Sequence, residues 1–249
     1  MVTDPSNAAW RGFGPENLVN KLTAAQGNVV TVDYADTGSN KITGGAYGAY
    51  RSDSVEVSDN RVDFKNGAAE RAYGGFSEQG NAARNKVDIS GGRLEWAAYG
   101  GYSQRGDAVD NTVTLNNGTV STVNGNNGVF GGYSLYGNAS GNRVVMNDGN
   151  ARYLYGGHAG HPASNSGMGD ATGNSVTVNG GHVTAYGINT SAPGTISGGE
   201  SRRGNATGNS VTINGGVINA NVYGGYVADG TGNATGNSLD IYGILDTQS

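Results

Sequence analysis

The residues of this chain that could do chemistry are few and scattered. His158-x-x-His161 supplies two imidazoles that could make half of a metal site, within the insertion "GGHAGHPASNSGMGDATG". The chain has no cysteine and no HExxH pattern, so two solvated loop histidines are the plainer reading. Asp63 and Asp88 stand at equivalent places in Arg61-Val62-Asp63-Phe64 and Lys86-Val87-Asp88-Ile89. Stacked ~5 Å apart on neighbouring strands, they could act as an acid and a base or take a metal. Arg61 and Lys86 stand two residues earlier, on the same strand face, and can compensate the charge. The following segments carry Thr114, Val145 and Thr177 at that place, so no acidic groove extends from the pair. Serines abound, but no G-x-S-x-G marks a nucleophile.

The glycine stretches invite a different chemistry. "GGYSLYGNASGN" (131–142) looks like a phosphate-cradling loop, which requires a strand, a glycine turn and then a helix N-terminus. Here a strand pattern follows, Arg143-Val144-Val145-Met146, and no Lys-Ser/Thr closes the loop. The same pattern recurs as "GGFSEQGNAARN", "GGYSQRGDAVDN" and "GGESRRGNATGN", which is what a structural corner does and a nucleotide site does not. Repeated calcium sites of the Gly/Asp β-roll kind need a nine-residue period. The column of Asp107 instead holds Asn81, Asn138 and Asn205. Neither a metal nor any other cofactor is expected.

The repeat itself sets the architecture. Aligning on one asparagine gives Asn60-Arg-Val-Asp-Phe, Asn85-Lys-Val-Asp-Ile, Asn111-Thr-Val-Thr-Leu, Asn142-Arg-Val-Val-Met, Asn174-Ser-Val-Thr-Val, Asn209-Ser-Val-Thr-Ile and Asn237-Ser-Leu-Asp-Ile, with a weaker copy at Asn28. Successive strong copies are 25, 26, 31, 32, 35 and 28 residues apart, so the unit is near 25 residues and the rest carry insertions. Apolar residues fall two and four places after each Asn, the period of a strand. A second small or apolar position follows nine places after it (Ala69, Leu94, Val120, Ala151, Val183, Ile218). A third segment ends in Tyr73, Tyr99, Phe130, Tyr155 or Tyr223, each before Gly-Gly. Three short strands per coil predict an all-β parallel β-helix, a β-solenoid whose coils bury their apolar stripe only by stacking. Seven to eight coils at that spacing make a rod roughly 35 Å long. The Asn is expected to sit in the left-handed region at a turn, and the Gly-Gly pairs to supply positive φ. Tyr102, Tyr133 and Tyr226 after Gly-Gly form either an outward aromatic ladder or buried stacking, depending on whether the corner intervenes.

Composition agrees. There are 46 glycines in 249 residues, against a usual level of about 7%, and four prolines with no G-X-Y period. The net charge of −5 and the lack of a basic run argue against nucleic acid and anionic membrane as partners. Residues 1–27, with Trp10 and the helix-like run Glu16–Leu22, form a separate N-terminal segment expected to cover the first coil. Residues 28–249 are the repeat domain, and "NSLDIYGILDTQS" reads as the cut end of a longer solenoid. Insertions at 121–128 and 184–195, and the one holding the histidines, are the natural place for a recognition patch. Tyr186, Asn189, His158 and His161 are its candidate residues.

Units such as "ATGNSVTINGG" and "VYGGYVADGTGNATGN" resemble the passenger repeats of bacterial type V autotransporters and related large Gram-negative surface adhesins, over residues 28–242. The resemblance implies a right-handed β-helix on the cell surface, without catalytic residues, serving adhesion or autoaggregation. Its partners would be a host glycan or protein, or a sister molecule. Contact with a membrane would come only through a translocator barrel outside this chain. The alternative is a carbohydrate-active β-helix: a polysaccharide lyase, a glycoside hydrolase or a tailspike-like depolymerase.

Overall fold

The computed structural model describes residues 25–38, 40–120, 128–161, 168–184, 193–230 and 232–243. The helix-like run at 16–22 lies outside them. Among the described residues every regular element is a strand, arranged in three parallel sheets of eight, eleven and seven strands. The chain winds as a β-solenoid of about 7 turns with about 28 residues per turn, the predicted fold. The insertions account for the excess over 25.

Each coil visits the sheets in the same order. The four-residue strands after the Asn, from Val29–Val32 to Ser238–Ile241, make the first sheet. A glycine with positive φ then turns the chain, as at Gly67, Gly92, Gly118 and Gly149. The second sheet holds the strands of the aromatic-Gly-Gly segment, such as Ala68–Ser77, Arg93–Ser103 and Val129–Ser134. Two-residue strands such as Ala82–Ala83, Ala108–Val109 and Ala139–Ser140 form the third and lead back to the next Asn.

Strand alternation delivers the predicted core. Val62 and Phe64, Val87 and Ile89, Val113 and Leu115, Val144 and Met146 are all fully buried in one cluster. Leu94, Val120, Ala151 and Val183, from the position nine after the Asn, meet them from the second sheet. The third sheet offers Val57 inward in its first strand and then alanine, Ala82, Ala108, Ala139, Ala171 and Ala206, all 0% exposed. The carbonyls at this position, of Val57, Ala82, Ala108, Ala139 and Ala171, each accept a bond from an asparagine amide of the interior column.

The Asn column departs from its expected conformation. Left-handed φ belongs to the residue before it (Asp59, Arg84, Asp110, Gly141, Gly173, Gly208, Gly236), while the Asn side chain turns into the interior. Asn85, Asn111, Asn142 and Asn174 are 0% exposed and bonded coil to coil. The backbone N–H and Nδ2 of Asn111 both donate to Oδ1 of Asn142, at 3.0 and 3.0 Å. Nδ2 of Asn111 also donates to the carbonyl of Ala82 at 2.8 Å. The pattern runs from Asn28 to Asn237. It uses both amide atoms, and a buried amide left unpaired would cost about 1–3 kcal/mol.

The Gly-Gly pairs also serve a purpose other than the predicted one. None of the pairs that follow the aromatic residue has positive φ, whereas Gly92, Gly181 and Gly216 of the other Gly-Gly pairs do supply it. Both lack a side chain because the second sheet runs against the Asn column. A Cβ on Gly75 would lie 2.5 Å from Asn85 Cγ, and one on Gly74 2.7 Å from the carbonyl oxygen of Lys86.

A second polar column explains the mixed Asn/Asp position noted in the sequence. Asp107 N–H donates to Asn81 Oδ1, Asn138 N–H to Asp107 Oδ1, Asp170 N–H to Asn138 Oδ1 and Asn205 N–H to Asp170 Oδ1, at 2.9, 2.7, 2.9 and 2.7 Å. Only an acceptor is used, so carboxylate and amide serve alike. The contrast is testable by urea unfolding. Asn138→Asp is expected to change stability by less than about 0.5 kcal/mol. Asn142→Asp, which loses two donated bonds and sets a buried carboxylate against Asn174 Oδ1, is expected to cost about 3 kcal/mol or more.

Candidate functional site

The second sheet alternates too. Ala72 and Ala98 enter the main core, so Tyr73 and Tyr99 leave on the opposite face and join a separate cluster with Ala97, Phe130 and Tyr133. The consecutive inward-facing glycines bend the strand, and the next aromatic also emerges outward. Strand pairing puts Tyr47, Tyr73, Tyr99, Phe130 and Tyr155 in one column and Tyr50, Phe76, Tyr102, Tyr133 and His158 in a second. Within a column rings lie nearly parallel, as for Tyr73–Tyr99 at 4.9 Å and 9°. Between columns they meet edge to face, as for Tyr99–Tyr102 at 5.3 Å and 83°.

The corner does intervene, and the rings form a wall outside the main core. Its faces are nevertheless consumed by coil-to-coil stacking: Tyr99 is 7% and Tyr133 8% exposed. A sugar stacks on a free ring face, so the middle of this wall is packing and not a platform. Burial pushes the Tyr102 hydroxyl up to about 12, and those of Tyr99, Tyr133 and Tyr155 higher still.

The wall is broken at one level. His158 pairs with Glu200, and Tyr155 with Ser197, before aromatic residues resume at Tyr223 and Tyr226. His158 therefore belongs to the strand Tyr153–Ala159 and not to the insertion in which the sequence reading placed it. Its Nε2 lies 3.8 Å from Glu200 Oε1, and both residues are 8% exposed. The His158 ring sits 4.5 Å from that of Tyr133 and 5.8 Å from that of Tyr155. His158 Nδ1 and Ser197 Oγ are buried without a hydrogen-bond partner. Burial drives the imidazole down to about 3, helped by the Arg202 charge. Burial also pushes the Glu200 carboxyl up to about 7, against the pull of Arg202. Past the break Tyr223 and Tyr226 lie at 26° instead of edge to face, since no ring holds them apart from the preceding coil.

His161 takes a different environment at the corner after this strand. Its ring stacks on Tyr136 at 5.7 Å and 19°, and Tyr136 is 44% exposed. The two histidines thus point to separate surroundings and do not converge as metal ligands. Among the described residues no group of three or more His, Cys, Asp or Glu could hold a metal. Tyr186 and Asn189 lie outside the described residues. Asp63 and Asp88 do stack in register, and Arg61 bridges them, bonding Asp63 and reaching Asp88 at 3.0 Å. Glu70 and Glu95 likewise share Lys41.

The sequence reading missed the serine column. Ser103, Ser134 and Ser201 are buried and donate to the carbonyls of Gly80, Gly106 and Gly169, each at 2.8 Å. Its signal was the Ser that directly follows the second aromatic position. The position of the break was legible as well, in the ionisable His158 and Glu200 three places past Tyr155 and Ser197.

No family model, curated protein or solved structure matches the chain.

The raised phenols predict an alkaline response. The folded hydroxyls titrate above their unfolded value near 10, so the wall's contribution is complete below pH 10 and is lost as pH rises through about 12. Tyrosinate absorbance should therefore appear in two stages, the exposed rings first and the wall tyrosines together with loss of β-sheet circular dichroism. A single transition near pH 10 with the sheet intact would contradict the packing described.

Proposed function

We propose that the chain is a non-enzymatic segment of a bacterial cell-surface protein, a stalk or adhesive module that contacts host glycans, host proteins or a sister molecule. The observation that carries the reading is the commitment of the repeated polar groups to coil-to-coil bonding. The Asn, Asn/Asp and Ser columns hold the coils together, and the stacked carboxylates of the first sheet are tied to Arg61. What varies from coil to coil is the corners and insertions, which is where a solenoid carries recognition. The resemblance to autotransporter passenger repeats supports the bacterial surface as location. Tyr136 with His161 is the best-placed contact pair, a half-exposed ring beside an imidazole at the corner from which the 162–167 segment departs.

A second reading, a carbohydrate-active β-helix, draws on one observation. Glu200 keeps its proton to about pH 7, the range of a general acid. Among the described residues its acidic neighbour, Asp229, is held by Arg202 and Arg203. Display of the chain on a non-adherent bacterium, followed by aggregation assays and a glycan and host-protein binding screen, separates the two. Adhesion or aggregation is expected, with Tyr136→Ala weakening it about tenfold at unchanged stability. Release of reducing ends from a polysaccharide panel, lost in Glu200→Gln, would move the assignment to the enzyme.

A further inference from the structure

The break in the aromatic wall is a local inconsistency in an otherwise regular repeat, and such places are where a fold gives up stability for something else. Aromatic residues at the levels of His158, Ser197 and Glu200 would continue both columns. Instead an acid and a base lie 3.8 Å apart with side chains 10% and 10% exposed. The groups facing them are few. Tyr133 and Phe130 lie in the preceding coil, Tyr155 in the same coil as His158, and Tyr226 in the following coil in register with Glu200. The Arg202 charge acts on both groups, and its guanidinium lies 3.7 Å from Asp229, which offsets it.

Surroundings of this kind favour a neutral pair over a separated ion pair. Two charges would have to be desolvated, and neither has the extra hydrogen bonds that make a buried ion pair favourable. His158 Nδ1 has no hydrogen-bond partner among the described residues, whereas an imidazolium would require one for each N–H. We propose that His158 and Glu200 hold a single proton between them, resident on the carboxyl, and that this makes the junction of their two coils a proton-compensated seam. When the seam opens to water in mild acid, the proton passes from Glu200 to His158 and none is taken up or released.

The signs follow from linkage. Glu200 is raised from 4.5 to about 7, so its contribution is complete below pH 4.5 and is lost as pH rises through 7. His158 is lowered from 6.5 to about 3, so its contribution is complete above pH 6.5 and is lost as pH falls through 3. Between these limits the two slopes oppose each other and cancel. The seam is therefore indifferent to mild acidification, although each member alone would make it sensitive. It fails in stronger acid, once the opened His158 and Glu200 together bind two protons against one in the closed state.

Amide hydrogen exchange of the whole chain tests this, read at Tyr155–Ala159 and Ile196–Ser201 as the ratio of variant to wild type at each pH. For Glu200→Gln the ratio should fall up to about tenfold per pH unit as pH rises from 4.5 to 7. For His158→Phe it should rise by a similar factor per unit as pH rises from 3 to 6.5. The ratio at Arg61–Phe64 should stay flat in both. Two slopes of the same sign, or two flat profiles, would overturn the proposal. Nitrogen-15 NMR of His158 in the unmodified protein gives a check that depends on no variant. A neutral ring at pH 5 is expected, and an imidazolium at that pH would refute the shared proton.

Discussion

Everything in this solenoid is arranged around the buried asparagine amide. Its Oδ1 takes two donors from the preceding coil, and its Nδ2 gives one bond to the following coil and one back to a carbonyl of the third sheet. A side chain so thoroughly used cannot move, and its neighbours must yield. The opposite strand loses both side chains where it passes from Gly74 onward, which is why Gly-Gly recurs in the later coils, while the first carries Gly48-Ala49. The flanking interior position is alanine from Ala82 to Ala206, and the preceding residue takes the left-handed conformation that aims the amide inward. Bending the strand at the glycines then throws two successive aromatic residues outward, and these stack into the wall. Core, corner and wall are consequences of one side chain's geometry.

The parts of this fold that follow from periodicity were legible in the sequence. Alternation placed Val62 with Phe64 and Val113 with Leu115, and spacing placed Leu94 and Val120 opposite them, because burial acts on each residue independently of its neighbours' conformation. Conformation was harder to read. Glycine has two reasons to recur, free φ and the absence of a Cβ, and composition cannot separate them. Gly75 recurs for the second reason and Gly67 for the first, although in sequence both are corner glycines. Asn60 and Asn81 look alike in the same way, but one column needs a donor and an acceptor and the other only an acceptor.

The candidate site was only half legible. Counting from the Gly-Gly pair places His158 in the wall, since it follows Tyr155 as Tyr133 follows Phe130. Reading it with His161 as a loop motif hid that register, because the insertion begins just beyond. The proximity of Glu200 could be inferred from the same alignment. That His158 Nδ1 finds no hydrogen-bond partner among the described residues could not, since it depends on ring packing across three coils.

The asparagine column also has a direction. In each member the carbonyl end faces the coil before and the amino end the coil after, without reversal from Asn60 to Asn209. The individual amide dipoles therefore add along the axis, much as peptide dipoles add along a helix. The column is electrically polar along the axis, its positive direction pointing toward Asn237. By this dipole alone, two such columns lying side by side are lower in energy antiparallel than parallel.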